Sequence, residues 1–577
     1  AYSVSVLRQP LNQTCSVSDG SGTLDSNVTA TVSCDGSIII SATVSGLVGT
    51  VVLQNNSAGE LTVTSNSSFT FSTKVTVGKT YAVTVSSQPT GKTCTPNNNS
   101  GVALSDVSDV EILCSSTVRS ITGSISDLSG TLILQNNYGG DQTFTSDGSF
   151  TFYVAYNANY SIRVKTQPSA KCIVNNDNGT ATADVNNVSV TCWTLVDGGS
   201  SSTGINFNNL KNADNVTLHP FQSKLYAGWT ESSSHGSISQ VRVKRFDNSS
   251  STWETADYSG IPMDGSKNSR DIRLMDNGTV LYATWIEEKY TDNTSEVRVA
   301  QFDNTSLTWT KYISSYQAIS DNASSFSFLG VNNTIVYAIW SESNGSKTQI
   351  RVKKFNNSTS WSVDNASLNL SSSQNAEAPV LDNFSSRLYA IWEETNGTAK
   401  QIRIASTDGS TWGSSIALND NTSRDGSTPT LTTFNSKLYA AWSEKNADNR
   451  SQIRVKACSS SCDSTTSWSS VDGDNATKGI NKDYHQNATY PVFAEANSSL
   501  YAVWLEENGT NQVRIAQFDN SSSWKFMDGD GFDGLNVKTA RITGKPSAAE
   551  YNSRFYLAWA ETNNNTTSQI RVLRSPF

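Results

Sequence analysis

Hydrophobic and polar residues alternate with a period of two along most of the chain. Residues 50–54 (Thr-Val-Val-Leu-Gln) and 452–456 (Gln-Ile-Arg-Val-Lys) are two examples, and in such a pattern alternate side chains face opposite sides of a strand. We find no stretch that sustains apolar residues at i, i+3, i+4 and i+7, the spacing of an amphipathic helix. The pattern predicts an all-β fold, which a chain of 577 residues is expected to divide into several domains.

The second part of the chain repeats a core strand of the form Leu-Tyr-Ala-x-Trp-x-Glu every 50–62 residues, a period typical of propeller blades. Each copy is followed by a turn and by a strand with a repeated arginine, as in Gln-Ile-Arg-Val. The tryptophans of the seven core strands are Trp229, Trp285, Trp340, Trp392, Trp442, Trp504 and Trp559.

Trp193 fixes the number of repeats. In six of the repeats a further tryptophan begins the outer strand, and the seventh repeat lacks an outer strand of its own. Residues 193–198 (Trp-Thr-Leu-Val-Asp-Gly) match residues 468–473 and 524–529, so that all 14 tryptophans are placed. We expect residues 193–577 to form a seven-bladed β-propeller whose last blade is closed by the N-terminal outer strand that carries Trp193.

The repeated Glu of Trp-x-Glu and the repeated Arg are interpreted as structural ion pairs within a blade or between neighbouring blades. An active site would instead draw different residues from different blades. Because the tryptophans also recur equally in every repeat, we expect them to be core residues and not part of a binding site.

Two earlier segments repeat one another. Residues 37–116 and 117–192 each contain Gly-Thr-(Val/Leu)-(Val/Ile)-Leu-Gln-Asn-Asn, then Ser-Phe-Thr-Phe, Gln-Pro and a cysteine pair. Several short strands with one disulfide predict an immunoglobulin-like β-sandwich module for each. These modules resemble the tandem β-sandwich repeats of bacterial cell-surface proteins.

Residues 1–36 match only the back half of this module. They contain Gln9-Pro10 and a cysteine pair, but not the preceding strands of the repeat. Half a sandwich exposes its apolar face and its unpaired strand edges. Two explanations remain open: the missing half is encoded upstream, or a neighbouring subunit supplies it by strand addition.

Eight cysteines occur in local pairs, which favours disulfides formed in an oxidising compartment over a zinc site. The expected pairs are Cys15 with Cys34, Cys94 with Cys114, Cys172 with Cys192, and Cys458 with Cys462.

Asn-x-Ser/Thr sequons are more frequent than the composition would give by chance. Asn, Ser and Thr also populate β-turns, but the excess favours N-glycosylation of a secreted protein, extracellular or on the cell surface. The candidate acceptors are Asn12, Asn27, Asn66, Asn159, Asn178, Asn215, Asn248, Asn277, Asn293, Asn304, Asn344, Asn357, Asn383, Asn396, Asn421, Asn449, Asn487, Asn508, Asn520 and Asn564.

Charge excludes two classes of partner. The net charge of −9 and the pI near 5.1 argue against nucleic acid and anionic membranes. No run of 18 apolar residues predicts membrane insertion. Residues 528–534 (Asp-Gly-Asp-Gly-Phe-Asp-Gly) have the oxygen-rich composition of a calcium loop but lack a closing Glu. A plain turn is favoured over calcium, and no cofactor is expected.

Residues 406–412 (Ser-Thr-Asp-Gly-Ser-Thr-Trp) resemble a degenerate Asp-box, the hairpin motif of sialidase-like propellers. In that family the motif is structural, and catalysis uses three arginines that converge on a carboxylate, a Tyr–Glu pair and an acidic residue. The candidate arginines here belong to the repeat. Because the sequence also shows no Gly-x-Ser-x-Gly, His-Glu-x-x-His or P-loop, we expect that the chain is not an enzyme.

These observations predict a secreted, heavily N-glycosylated structural protein that forms an extracellular filament or surface layer. Other copies of the chain would complete its first module. The alternative is an adhesin or lectin with a sandwich stalk and a propeller head that binds glycans or protein.

Overall fold

The computed structural model describes residues 1–9, 13–89, 92–115, 118–168, 171–198, 204–232, 238–257, 261, 265–288, 294–304, 306–311, 323–331, 335–355, 362–365, 367–473, 478–529, 534–536, 544–563 and 566–576. Its contacts divide the chain into two compact units, Ala1–Cys192 and Trp193–Phe577. The fold is all-β, and the described residues contain one 3-10 turn, Thr465–Ser467. Nowhere in the described ranges is a helix long and apolar enough to cross a membrane.

The first unit begins with four short strands and continues with two sets of longer ones. The strands are β1 (Tyr2–Ser3), β2 (Thr14–Ser18), β3 (Ser21–Gly22), β4 (Thr31–Asp35), β5 (Ser37–Ile38), β6 (Ile40–Ser45), β7 (Val51–Asn55), β8 (Ala58–Val63), β9 (Ser68–Thr70), β10 (Val75–Thr76), β11 (Thr80–Ser87), β12 (Thr93–Asn97), β13 (Ser100–Val102), β14 (Val107–Ser115), β15 (Val118–Ser126), β16 (Leu132–Asn136), β17 (Gly139–Phe144), β18 (Gly148–Ala155), β19 (Asn159–Thr166), β20 (Lys171–Asn175), β21 (Asn178–Thr180) and β22 (Val185–Leu195).

The two longer sets of strands have the same topology. In the first set, β13-β11-β7-β8 and β12-β14-β6-β9 form two four-stranded sheets around one apolar core. In the second set, β17-β16-β19-β21 forms one sheet and β18-β15-β22 belongs to the other, in which β20 also pairs with β22. These two sheets surround another apolar core. Strand β14 runs parallel to β6, and β22 runs parallel to β15. The remaining ladders of these sheets are antiparallel.

The prediction of four disulfides is confirmed. Cys15 bonds Cys34, Cys94 bonds Cys114, Cys172 bonds Cys192, and Cys458 bonds Cys462. Cys15 lies directly opposite Cys34 in the β2–β4 ladder, as Cys94 lies opposite Cys114 in the β12–β14 ladder. Each of these disulfides therefore joins two adjacent strands of one sheet.

The second unit is a succession of antiparallel sheets and is β-propeller-like. Its strands are β23 (Ala213–Phe221), β24 (Lys224–Ser232), β25 (Ser239–Asp247), β26 (Thr252–Thr255), β27 (Ser269–Asp276), β28 (Leu281–Glu288), β29 (Ser295–Asp303), β30 (Thr308–Lys311), β31 (Ala323–Val331), β32 (Ile335–Ser343), β33 (Thr348–Phe355), β34 (Ser362–Asn365), β35 (Ala376–Phe384), β36 (Arg387–Thr395), β37 (Lys400–Thr407), β38 (Ile416–Ala417), β39 (Gly426–Phe434), β40 (Lys437–Lys445), β41 (Ser451–Cys458), β42 (Trp468–Ser470), β43 (Ala488–Ala496), β44 (Ser499–Asn508), β45 (Thr510–Phe518), β46 (Trp524–Phe526), β47 (Ser547–Tyr551), β48 (Arg554–Thr562) and β49 (Ser568–Arg574).

Six consecutive groups of four strands, from β23–β26 to β43–β46, form sheets that we number S1 to S6. Sheet S7 contains β47, β48 and β49, and Thr194 and Leu195 of β22 pair with β49 as its outer strand. The first strand of each sheet is called its inner strand. Each inner strand contacts the next, and β47 of S7 contacts β23 of S1.

The repeated tryptophans lie in the apolar core. Trp193, Trp229, Trp285, Trp340, Trp392, Trp442, Trp504 and Trp559 are all buried. Several outer-strand tryptophans also join neighbouring sheets through the indole N–H: Trp253 donates to the carbonyl of Val196 at 2.7 Å, and Trp524 donates to that of Val471 at 2.8 Å.

The glutamate of each Trp-x-Glu binds the indole two residues before it. Since residues i and i+2 of a strand share a face, Trp Nε1 donates to the carboxylate at 2.7–2.9 Å in all seven copies. In S6, Glu506 also accepts the backbone N–H groups of Lys482 and Asp483 at 3.0 and 2.8 Å. These two residues lie in the linker from S5, so the carboxylate joins adjacent sheets. Glu231, Glu394 and Glu444 accept equivalent pairs of linker N–H groups.

An asparagine in the same linkers was missed by the sequence analysis. Asn481 accepts the N–H of Ile453 at 2.9 Å and donates to the carbonyls of Ser451 and Gln486. Its equivalents Asn206, Asn369, Asn419 and Asn536 accept from the third strand of the preceding sheet in the same way. The available signal was an Ile-Asn or Leu-Asn dipeptide at a fixed place in five linkers.

The prediction that the repeated Glu and Arg pair with one another is wrong for most of the described copies. The glutamates accept N–H donors, and four arginines bind an aspartate that lies two residues after the end of an outer strand. Arg242 bonds Asp257, Arg454 bonds Asp472, Arg514 bonds Asp528 and Arg571 bonds Asp197, at 2.8–3.3 Å. Arg351 lies 3.7 Å from Glu342 and is the copy that matches the expectation.

Replacing Glu506 tests this link between sheets. Burial raises the pKa of its carboxyl, yet the group accepts three N–H donors, so Glu506→Ala leaves buried donors without an acceptor. We expect a loss of about 2–4 kcal/mol in the free energy of unfolding, measured by urea denaturation. Glu506→Gln, which keeps one oxygen, is expected to lose less.

The neighbouring residue provides the control. Glu507 is exposed and accepts one hydrogen bond, from Asn487. Glu507→Ala is expected to change stability by less than about 0.5 kcal/mol. Equal losses for the two alanine variants would contradict the role assigned to Glu506.

Candidate functional site

Residues 1–36 fold like the back half of the complete modules. Gln9 binds both backbone groups of Cys15, accepting its N–H at 2.6 Å and donating to its carbonyl at 3.0 Å. Gln88 binds Cys94 and Gln167 binds Cys172 in the same manner. This explains the repeated Gln-Pro motif, because the glutamine replaces a strand partner at the start of the cysteine-bearing strand.

The strand edges of this half-module are open where the complete copies are paired. Strand β4 pairs with β2 among the described residues, whereas its equivalents β14 and β22 also take a parallel partner, β6 or β15. Likewise, within the described ranges β1 pairs with β3, whereas its equivalent β11 pairs with both β13 and β7. These edges correspond to the ones that β6 and β7 occupy in the first complete module.

Apolar side chains of the half-module are exposed at positions that are buried in the complete modules. Val4 is 46% exposed, while Val83 and Ile162 at the equivalent positions are fully buried. Leu24 is 65% exposed, against full burial of Ala103 and Ala181, and Val32 is 55% exposed, against full burial of Ile112 and Val190. Covering each such side chain is worth about 1.5–3 kcal/mol. We call the surface formed by Val4, Leu24 and Val32 the open face.

A separate candidate lies in the second unit, in a central cavity of about 380 Å³ to which all the inner strands of S1–S7 contribute. One equivalent position recurs close to the start of the inner strands. At this position Asn215, Asp271, Ala378, Thr428 and Tyr490 have positive φ values of 51–57° and sit at irregularities in the β-ladder. Such bulges turn side chains away from the regular ladder. Lys545 occupies the equivalent position before β47.

One side of the cavity carries a charged cluster from S7, S1 and S2. Asp271 accepts hydrogen bonds from Asn215 at 2.9 Å and from Arg270 at 2.7 Å, one on each carboxylate oxygen. Asp214 accepts the N–H of Asn215 at 2.7 Å. Gly544 is required beside it, because a Cβ there would lie 2.0 Å from a carboxylate oxygen of Asp214.

Two cations of the cluster face the cavity without a carboxylate in contact. Lys545 and Arg273 line the cavity, and among the ion pairs of the described residues neither appears. Burial lowers the pKa of Lys545 to about 7; Arg273 lowers it further, and Asp271 and Asp214 oppose the shift. Burial also lowers the pKa of Arg273. Burial raises the pKa of Asp214.

The opposite side of the cavity has no acidic or basic side chain among its lining residues. It contains Ala378, Pro379 and Val380 of S4, Thr428 to Thr430 of S5, and Tyr490 to Val492 of S6. Pro379, Pro429 and Pro491 lie on inner strands. The site thus breaks the symmetry of the repeat, which the sequence analysis did not foresee, because aligned repeat residues hide the few positions that differ.

The sequons fall into three groups. Asn12, Asn293, Asn357 and Asn564 lie outside the described residues. The exposed ones are Asn27, Asn66, Asn159, Asn178, Asn248, Asn304, Asn344, Asn396, Asn421, Asn449, Asn508 and Asn520, while Asn215, Asn277, Asn383 and Asn487 are partly buried. Asn277, Asn344 and Asn396 accept the N–H and hydroxyl of the residue two positions on, so their sequons also build turns.

Two further sequence features have structural roles. Asp408, in the Asp-box-like segment, accepts the N–H of Ser410 at 3.0 Å and shapes the hairpin turn. Asp528 of the calcium-like segment is bonded to Arg514, and residues 530–533 lie outside the described residues. No group of three or more His, Cys, Asp or Glu side chains that could hold a metal occurs in the described part of the chain.

No protein-family model and no curated protein matches the sequence. Similar solved structures include a protein of unknown function from Dyadobacter fermentans (9% identity, 64% of this chain and 95% of that chain, TM-score 0.39). A second is the α-L-arabinofuranosidase Arb93A from Fusarium graminearum (13% identity, 52% of this chain and 91% of that chain, TM-score 0.34). A third is the Trypanosoma rangeli sialidase (12% identity, 63% of this chain and 54% of that chain, TM-score 0.36).

The prediction that the chain is not an enzyme is wrong as it was argued. Several of the similar structures are enzymes by name, among them the arabinofuranosidase and the sialidase, and the cavity carries the asymmetric charged cluster that the sequence analysis did not find. At these identities and TM-scores the similarity assigns no activity to this chain.

The pH dependence of stability tests the placement of Lys545. In the folded state its pKa is about 7, against an ordinary value of 10.5, so below pH 7 the buried charge destabilises the fold, and between pH 7 and 10.5 this cost disappears. We therefore expect Lys545→Met to stabilise the protein by about 1–3 kcal/mol at pH 6 and by progressively less above pH 7, in urea denaturation. If the difference in unfolding free energy between Lys545→Met and the parent chain were the same at pH 6 and pH 10, the placement of Lys545 would be contradicted.

Proposed function

We propose that this chain is a secreted, N-glycosylated structural protein of an extracellular filament or surface layer. A neighbouring copy of the chain would complete its first module by adding strands to the open face. The observation that carries this proposal is the open face itself, in which Val4, Leu24 and Val32 are exposed at positions that the complete modules bury.

Strand addition supplies both affinity and specificity at such a face. The free edges of β1 and β4 offer backbone hydrogen bonds, and alternate apolar side chains of an added strand would fill the exposed positions. The complete modules indicate what must be added, namely strands equivalent to β6 and β7, with one running parallel to β4. A chain that leaves this surface uncovered is prone to edge-to-edge association.

The proposal includes a finer description of the fold. Residues 37–116 and 117–192 would be immunoglobulin-like modules, and residues 193–577 a seven-bladed β-propeller. Two observations support the blade count: the inner strand of S7 contacts that of S1, and Thr194 and Leu195 supply the outer strand of S7.

Glycans on the exposed sequons would suit an extracellular coat. The four disulfides support an oxidising environment. Asn215 is left out of this proposal, because its amide nitrogen donates to Asp271 at the central cavity and a glycan there would have to displace that bond.

A second candidate function is an adhesin whose propeller-like unit binds a ligand at the central cavity. The asymmetric charged cluster and the exposed ring of Tyr490 favour it. The two candidates are compatible, since they use different units of the chain.

Completing the first module within one chain tests the assembly proposal. We expect the purified protein to form polymers visible by electron microscopy and light scattering. A fusion that places a copy of residues 37–79 before Ala1 supplies the missing strands in cis, and it should remain monomeric because the open face is then covered.

The matched control carries a Gly/Ser extension of the same length, which should still polymerise. A monomeric parent protein, or a fusion that polymerises as well as the control, would contradict the proposal. The first result would indicate that upstream residues of the same polypeptide complete the module.

A further inference from the structure

The charged cluster in the central cavity is built from residues that differ between repeats. Asp271, Arg273 and Lys545 stand where other sheets have residues such as Ala378, Val380 and Thr428. Charged side chains at the centre of a packed unit cost free energy of desolvation. A scaffold role does not require them, because the sheets S4 to S6 close around the cavity with uncharged residues.

The charges of the cluster do not cancel. Three cations, Arg270, Arg273 and Lys545, stand against two carboxylates, Asp214 and Asp271, which leaves a formal excess of one positive charge when Lys545 is protonated. Both oxygens of Asp271 are occupied by Arg270 and Asn215. The carboxylates are therefore satisfied by their own neighbours, and the uncompensated charge lies on Lys545 and Arg273.

Among the described residues, the guanidinium of Arg273 makes one hydrogen bond, a long one to the carbonyl of Ile272 at 3.4 Å. For Lys545 no hydrogen bond or ion pair within contact distance occurs among the described residues. Their mutual repulsion contributes to the lowered pKa of Lys545. An anion between them would remove the repulsion and satisfy both side chains.

We infer that the central cavity binds a small organic anion, a carboxylate or phosphate ester, between Lys545 and Arg273. The site holds its anionic group on the charged side, and the body of the ligand lies against Pro379, Pro429 and Pro491. The cavity of about 380 Å³ limits the ligand to the size of a single sugar or organic acid. This site is independent of the assembly proposed for the first unit.

The other charged and titratable side chains near the cavity do not supply a further cation for the anion. Asp271 and Asp214 repel an anion but are bonded to Arg270 and Asn215. Tyr490, on the inner strand of S6, is the further titratable group of the lining. Phe326 of S3 and the lining residues of S4 and S5 carry no charge.

Isothermal titration calorimetry of the full chain tests the inference, with inorganic phosphate, glucuronate and glucose as probes. We expect phosphate or glucuronate to bind at pH 6, and glucose, which has no charge, to bind at least about tenfold more weakly than the anion. Binding of phosphate alone would identify a phosphate site, and binding of glucuronate alone a carboxylate site.

The pH dependence provides a second readout. Because Lys545 must be protonated, the affinity should fall by about tenfold or more between pH 6 and 9. At pH 8 anion binding should take up protons, measured in buffers of different ionisation enthalpy. In Lys545→Met this uptake and most of the affinity should be lost.

Lys525→Met is the matched control, since Lys525 is exposed on the outer strand of S6, and it should bind like the parent chain. Circular dichroism would establish that Lys545→Met is folded, and Arg273→Met should independently weaken binding. The inference is overturned if neither anion binds at about 10 mM, if Lys545→Met binds as well as Lys525→Met, or if the affinity is the same at pH 6 and 9.

Discussion

The buried carboxylate of Trp-x-Glu is the interaction on which the second unit depends. A sheet of four strands satisfies its own backbone, but the linker to the next sheet carries free N–H groups into a buried place, and these need an acceptor. Glu231, Glu394, Glu444 and Glu506 provide it while holding the indole of their own strand. One side chain thereby fixes the core tryptophan, the linker and the position of the following sheet.

The same arrangement leaves the centre of the unit free to vary. The linkers and the outer tryptophans also hold the sheets together, so that the inner strands can carry polar side chains at some positions around the cavity while Val216 and Phe326 pack in the core. Charged groups can therefore be placed there at a tolerable cost in stability. Asp271 and Arg273 of β27 are far in sequence from Lys545, which precedes β47, and the order of the sheets brings them to one cavity.

The first unit shows the opposite situation, in which residues 1–36 keep apolar side chains exposed. Its back half is held together locally by the Cys15–Cys34 disulfide and by Gln9. Local bonds of this kind allow the half-module to keep its shape while its apolar side remains uncovered. Val4, Leu24 and Val32 are therefore exposed at positions that the complete modules bury.

The sequence by itself determined the strands, the repeats, the disulfides and the buried tryptophans, because period-two alternation and local cysteine pairs are readable from neighbouring residues. It also showed that residues 1–36 match the back half of the repeated module. Only the tertiary structure decided that Glu binds N–H donors and that Arg binds the aspartate that follows the outer strand, since both choices depend on side-chain direction across strands. It alone also brought Lys545 beside Arg273, which lie 272 positions apart, because such a juxtaposition follows from how distant sheets pack and leaves no local pattern.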